Sequence, residues 1–479
     1  MRNYRNIFFA LLFLFSLLYG GDERGAISVV NYPSSGEYRA DRDAWGSVRS
    51  RSGLMYFANS EGVLQYNGVS WKLIRLPHRT SVQSIAVDRD GRIMVGSDSE
   101  IGYLTETNDS VRYTSLTRFV PDTLRTFSQV WTADTLNGYS YLQSSSAIFV
   151  VKGDSVVTLP APIQFGLTYR YGSRLLVQER TRGLVELRRT TTVTLDSSEF
   201  FRTRSVSAIL PAFGGRYFIL TKYHGVFLYD GKKTVLFPSP LNNLMLKNRP
   251  YRGTVLSTGE SAVGVVGLGV VIIDTMGVIR SVLNKENGLT NNTVTSMFED
   301  GLGNVWLTGY QGISRFRYPA PYTSYTNRQG LSGAVKMMVR HQGSVYAATI
   351  ENLFILTDNN SFRSVAEAGT HSIFSALKDV REDCSFLLSV DNDLLASTSQ
   401  GVFVVNGMSS RLVTHSYALP LLRSMNDSDR VFIGTFGLAS MVRKNGRWID
   451  EGLYREITED IYQIFEEHPD ILWLRTYNQ

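Results

Sequence analysis

The stretch TVTSMFEDGLGNVWLTGYQGISRFRY, residues 293–318, decides the fold. It reads as an alternating apolar strand, a turn from Gly301 to Asn304, a second strand around Trp306, and a third alternating strand opened by Gly312. The same order recurs in SIAVDRDGRIMVGSDSEIGYLT, AILPAFGGRYFILTKYHGVFLYDG and VLSTGESAVGVVGLGVVIIDTMG. Taking the residue that opens the third strand as a marker gives Gly62, Gly102, Ala147, Gly183, Gly225, Gly269, Gly312, Leu353, Gly401 and Gly437. Their mean spacing is about 42 residues. The longer interval from Leu353 to Gly401 points to a surface insertion.

Connections between first and second strands hold residues that accept positive φ or start turns, such as Asp90-Gly91, Asn137-Gly138 and Gln342-Gly343. These are hairpins. Within strands the period is two, as in Val226 and Leu228 against Phe227 and Tyr229, the pattern of half-buried strands. Sustained helical periodicity is absent, and the best helical window, Glu459 to Glu467, also reads as an opening strand. Four short strands in about 42 residues match one blade of a β-propeller, so the chain is all-β. With 43% hydrophobic and 19% charged residues, 41 Gly, 13 Pro and one Cys, disorder, collagen and a disulfide scaffold are excluded.

Ten markers and a further Leu472-Trp473-Leu474, aligned with Val305-Trp306-Leu307, exceed one customary ring of four to eight blades. The expected organisation is a signal peptide over 1–21, a complete seven-bladed ring over 22–330, and an incomplete second ring over 331–479 with about three and a half blades. The alignment stops between paired strands at Gln479, which reads as the front part of a longer protein or a broken gene. Ile27 to Tyr32 precedes the first blade and is expected to give one of the rings a closing outer strand.

Residues 1–24 read as an export signal, with Arg2 and Arg5 before an apolar run from Ile7 to Tyr19 and then Gly20 and Gly21. Thirteen residues of helix span about 20 Å, short of the roughly 30 Å hydrocarbon core. The location implied is periplasmic, with cleavage near Gly20 or Gly21; an uncleaved inner-membrane anchor stays open. Cys384 stands alone, so no internal disulfide can form.

The net charge of +6, from 49 basic and 43 acidic residues, does not argue for nucleic acid. The densest basic stretch, Arg170, Arg174, Arg180, Arg182, Arg188 and Arg189, alternates with apolar residues as a solvated strand face would; attraction of an acidic glycan stays open. The six histidines form no metal-binding spacing, and His341 and His468 fall at hairpin turns, where a solvated imidazole is expected. Gly264, Gly267 and Gly269 open no helix and read as backbone clearance within a blade, not a dinucleotide loop. Glu299 and Asp300 are adjacent, so they point to opposite faces and cannot act as a facing acid/base pair; Asp300 reads as a turn residue. Trp306 and Trp473 share one repeat position, which favours packing between blades over sugar stacking. Asn291, Asn292 and Thr293 lie just before an inner strand, where they either face a ligand or satisfy local turns. No catalytic, metal-binding or cofactor-binding residue is assigned, no cofactor is implied, and the ligand-contacting residues are left unknown.

The segment ENGLTNNTVTSMFEDGLGNVWLTGYQGISRFR, residues 286–317, strongly resembles the two-component regulator propeller repeat of the extracytoplasmic sensor regions of bacterial hybrid two-component receptors, particularly in Bacteroidota. The opening from Asn31 to Pro77 is similar to the start of such sensors. In that family two seven-bladed propellers precede a small β-sandwich, a transmembrane helix and a cytoplasmic output module. The resemblance implies a non-enzymatic, ligand-binding sensor region, an oligosaccharide as ligand, and a homodimer in the intact receptor. Its membrane contact would run through the signal segment or downstream domains absent from this sequence. An exported propeller enzyme, a polysaccharide lyase or hydrolase, is the alternative, as is a protein-binding scaffold.

Overall fold

The computed structural model describes residues 25–107, 110–358, 372–469 and 471–476. The signal segment, residues 1–21, lies outside them, as does much of the expected insertion between Leu353 and Gly401. The chain is an all-β propeller protein that divides into two compact units.

The first unit spans residues 27–323 and holds seven four-stranded antiparallel sheets. The first sheet is typical, running Ala44–Arg49, Met55–Asn59, Gly62–Tyr66 and Trp71–Ile74 in meander order. First strands of successive sheets lie side by side, and the cycle closes where Val294–Glu299 meets Ala44–Arg49; there the Thr295 hydroxyl donates to the Ala44 carbonyl at 3.0 Å. The last sheet takes its outer strand from the N-terminal segment. Val29–Tyr32 pairs antiparallel with Gly312–Arg317, Val29 opposite Phe316 and Tyr32 opposite Ile313. Sequence alone left open which ring this segment closes; it closes the first.

The alternation in the strands serves two blade interfaces. Val226 and Leu228 pack with Val263, Val265 and Val271 of the following sheet, while Phe227 and Tyr229 pack with Tyr169 and Leu176 of the preceding one. Both faces are therefore buried, which corrects the half-buried expectation: a blade in a ring has a neighbour on each side, and period two sorts residues between neighbours instead of between core and water.

The marker residues stand at the start of third strands or, for Gly102 and Gly401, one residue from it, and all eight marker glycines except Gly102 have positive φ. At Gly269 (φ 103°) a Cβ would stand 2.0 Å from the Leu283 carbonyl oxygen, so the glycine run gives backbone clearance as expected. The hairpin residues behave likewise, with φ of 52° and 78° at Asn137 and Gly138.

Asp300 shows how a polar turn is built into a blade. Its carboxylate accepts from the amides of Leu302 (2.9 Å) and Asn304 (3.2 Å), the Asn304 side chain (2.9 Å) and the Trp306 indole (3.1 Å). Burial pushes its pKa up, but these hydrogen bonds outweigh burial and hold the carboxyl below its ordinary range. Asp88 repeats the device with the amides of Asp90 and Arg92. Asp300→Asn places an amide against some of these donors and is expected to destabilise the first unit by about 2–3 kcal/mol in urea melts at neutral pH. Because the folded-state pKa is depressed, this contribution is present above the unfolded carboxyl pKa near 4 and disappears as pH falls through the folded value. The gap between wild type and Asp300→Asn should therefore narrow in strong acid; a gap constant with pH would contradict the ionised role.

The second unit, from Ser324 onward, holds three four-stranded sheets and the hairpin of Gln463–His468 with Ile471–Arg475. The window Glu459 to Glu467 is thus resolved in favour of a strand. Its His341 departs from expectation. The ring is buried, with Nδ1 2.8 Å from the Ser389 hydroxyl and Nε2 3.2 Å from the Asn392 carbonyl, because the hairpin packs on the next sheet and not into water. In the first unit, a helix at Pro240–Lys247 breaks the all-strand expectation. Ser239 caps it by accepting from the Asn242 amide, and Pro240 takes the first turn; this Ser-Pro start was its sequence signal.

Candidate functional site

Each of the seven inner strands in the first unit carries a register shift near its start. In the first sheet Ala44 pairs with Asn59 and Gly46 with Ala58, so Trp45 has no ladder partner. The residues extruded in the same way are Gln83, Trp131, Ser207, Tyr251 and Thr295, while Gly166 and Leu167 together face Gln178. A bulge re-aims a side chain that the pleat would otherwise bury in an interface. Seven bulges at equivalent places thus build a rim of re-aimed residues around the central channel.

The rim divides by chemistry. The small hydroxyls lock neighbouring blades: Ser207 donates to the Pro250 carbonyl at 2.7 Å, as Thr295 does to Ala44. The aromatic members line cavities. Trp45 anchors its ring N–H on the Ser60 hydroxyl at 3.2 Å and meets Tyr310 edge-on, with ring centroids 5.3 Å apart. Burial, then the nearby Tyr251 and Asp43, raise the pKa of the Tyr310 hydroxyl, so it remains a hydrogen-bond donor at neutral pH.

Below the rim lies a channel cavity of about 450 Å³ lined by Trp45, Gln83, Trp131 and Arg252. Arg252 reaches across it to donate to the Trp131 carbonyl at 2.9 Å. Four buried polar atoms on this lining have no partner among the described residues: Ser47 Oγ, Gln83 Oε1, Ser84 Oγ and Arg252 Nε. Buried polar groups are almost always satisfied, so water or a ligand must complete them. A second cavity of about 530 Å³ adjoins, lined by Asp134, Thr168, Arg170, Ser207 and Tyr217. Asp134 is the one carboxylate on either lining and is engaged by the Thr168 hydroxyl. A third cavity, about 260 Å³, opens beside Tyr251 and holds Arg180, Arg202 and Lys222. What these walls offer is aromatic surface, amides, hydroxyls and positive charge, the chemistry of binding a polar ligand.

The residues singled out in the sequence fall mainly elsewhere. Asn291 and Asn292 satisfy local turns, their side-chain oxygens accepting from the Thr293 and Lys285 amides. Glu299 accepts from the Ser257 amide and hydroxyl, both at 2.6 Å. Trp306 is buried at 2% exposure and stacks on Tyr32, whereas Trp473 at the same repeat position is 61% exposed. Within the basic stretch Arg174 and Arg188 share Glu186, and Arg182 pairs with Glu179; Arg170 and Arg180 reach cavities.

Seven four-stranded sheets set side by side in a closed cycle define a β-propeller. Residues 288–311 match the family model described as two component regulator propeller, and the chain carries that repeat. No curated protein matches the sequence. Among solved structures, the extracellular domain of the hybrid two component system BT3049 from B. thetaiotaomicron aligns over 94% of this chain and 64% of its own length, with TM-score 0.68 and 12% identity. The corresponding domain of BT4673 from the same organism aligns over 95% and 65%, with TM-score 0.47 and 15% identity. An inactive virginiamycin B lyase from Staphylococcus aureus, solved with quinupristin, aligns over 61% and 99%, with TM-score 0.48 and 11% identity. The first likeness establishes the fold. The chain spans about two thirds of the length of the two extracellular domains.

Proposed function

We propose that this chain is the ligand-binding, extracytoplasmic sensor region of a bacterial signal-transduction receptor, that its ligand is an oligosaccharide, and that the bulge rim of the first unit binds it. The observation carrying this reading is the channel cavity, where Trp45 and Trp131 stand over partnerless buried polar atoms. Aromatic faces beside hydrogen-bonding groups suit a ring that is apolar on its faces and hydroxylated at its edges. The repeat family and the fold shared with an extracellular receptor domain support the same reading. On it the leader exports the chain to the periplasm, the second unit is part of a second ring, and further domains carry the signal. Signalling then requires the ligand to bind one receptor arrangement better than another.

The test is calorimetric titration of the full chain with a panel of plant and host oligosaccharides, alongside a reducing-sugar release assay. Binding without turnover is expected, weakened about tenfold or more by Trp131→Ala, as for an aromatic anchor at a binding centre. Turnover of a bound oligosaccharide, or absence of binding across the panel, would overturn it.

A further inference from the structure

Position by position, the repeat exposes an irregularity on the rim. Three residues before each marker of the first unit stand Asn59, Ser99, Ser144, Arg180, Lys222, Val266 and Gly309. Only the fourth and fifth blades place a cation there, and these blades are adjacent. The loop between them contributes a third, Arg202, and all three line the cleft of about 260 Å³ beside Tyr251.

Neighbouring cations are spoken for. Arg182 is held by Glu179 and Arg174 by Glu186, and Arg204 lies over the Phe200 ring at 3.9 Å while donating to the Phe200 carbonyl. By contrast, among the described residues the side chains of Arg180 and Arg202 have no hydrogen-bond or ion-pair partner, and Lys222 has only the Tyr223 ring, 5.5 Å from its Nζ. Among the described residues no carboxylate lines the cleft. Three like charges converging without a counter-charge repel one another, an arrangement that an anion relieves.

The cleft is also pre-set. The Gln178 side chain, 8% exposed, donates to the carbonyls of Phe201 (2.6 Å) and Arg204 (2.8 Å) and accepts from the Val206 amide (3.1 Å). That buried amide pins the loop that presents Arg202 and Thr203. Gly166 leaves room for it, since a Cβ there would stand 3.1 Å from the Gln178 side chain.

We infer that this cleft is an anion subsite in which Arg180, Arg202 and Lys222 hold a carboxylate or sulfate of the bound oligosaccharide. The inference rests on the sensor reading for the oligosaccharide, but its charge argument stands on the cleft alone. Two guanidinium forks suit such groups through paired hydrogen bonds.

The experiment titrates the full chain with trigalacturonate, a heparin-derived tetrasaccharide, neutral cellotetraose and inorganic sulfate, at about 0.01 M and about 0.15 M salt. At least one acidic oligosaccharide should bind more tightly than cellotetraose, and more weakly at the higher salt. Arg180→Gln/Arg202→Gln should weaken it at least tenfold and flatten the salt dependence, while Arg180→Lys keeps part of the affinity. Thermal melts of each variant separate lost binding from lost fold, and Lys222→Gln, exposed in a turn, is the fallback if the double variant melts early. If cellotetraose binds wild type and variant alike and no acidic probe is favoured, the subsite is overturned and the sensor reading stands. If sulfate binds as tightly as every oligosaccharide and the variant loses it, the anion site stands and its oligosaccharide source is overturned. Unchanged binding in the variants, or no binding of any anionic probe, overturns the subsite.

Discussion

Gly183→Ala is expected to lower the stability of the first unit by about 3–5 kcal/mol, from left-handed strain and an unyielding contact together. Gly183 opens the third strand of the fourth blade at φ 91°, and an added Cβ would stand 1.7 Å from the Ser198 carbonyl oxygen. That carbonyl cannot withdraw freely. It accepts from the Phe201 amide at 2.9 Å, while the Ser198 hydroxyl ties back to the Arg182 carbonyl at 2.9 Å. Moving it would unseat Phe201, a fully buried ring packed with Tyr169 and Phe227. Gly153→Ala is the control: its φ is also positive at 58°, yet nothing lies within 4 Å of the new Cβ, so about 1 kcal/mol is expected. Equal urea midpoints for the two variants would show that the close approach is not what fixes the marker. Since the Ser198–Phe201 turn leads into Arg202, Gly183→Ala should also weaken binding of an acidic oligosaccharide at the cleft.

This marker explains why the architecture was legible. Where the third strand starts against the end of the fourth strand's backbone, as at Gly62, Gly102 and Gly269, there is room only for hydrogen where a side chain would be, and that demand recurs in most blades, Ala147 and Leu353 being the exceptions. Asp300 was legible as a turn for a similar local reason: its acceptors serve residues two to six positions away. What was not legible is non-local. Nothing in the residues from Ile27 to Tyr32 names Gly312–Arg317 as their partner nearly 300 residues on. His341 looked solvated because its hairpin is a turn, yet Ser389 and Asn392 of the next sheet bury it.

The bulge rim escaped sequence reading for another reason. A bulge is a property of the ladder, and the residues extruded by it, among them Trp45, Gln83, Ser207 and Thr295, share no side-chain type. Their offset from the marker drifts as well, 17 residues for Trp45 and 19 for Gln83, so periodicity does not align them. The charge irregularity was easier to find. Arg180 and Lys222 occupy one repeat position, and comparing blades at that position separates Arg180 from Arg174, Arg182 and Arg188, beside which the alternation with apolar residues reads it as part of one solvated face.

Tyr32→Ala is expected to destabilise the first unit by about 3–4 kcal/mol, in the range for deleting a large buried ring. Tyr32 belongs to the N-terminal strand but packs among residues of both the first and the last blade. Its ring lies 5.6 Å from Tyr66, 5.4 Å from Trp71 and 5.6 Å from Trp306, the last pair stacked at 20°. Losing it removes a plug from the seam where the ring closes, and the strand that carries it then has less to hold it on Gly312–Arg317. The hydroxyl matters less. Burial pushes its pKa up to about 12 against the lowering by Arg315, so it stays neutral, and Tyr32→Phe should shift stability by less than about 1 kcal/mol. Amide hydrogen exchange distinguishes the seam from the blades. In Tyr32→Ala, protection should fall first in Val29–Tyr32, Gly312–Arg317 and the adjoining Ala44–Arg49, because opening starts where the ring is joined by a strand from the far end of the sequence. In Gly183→Ala it should fall first in Gly183–Arg188 and the turn at Glu199–Phe201. If both variants lost protection evenly around all seven blades, the seam would be no weaker than any other interface, and the N-terminal strand would be one more outer strand instead of the clasp of the ring.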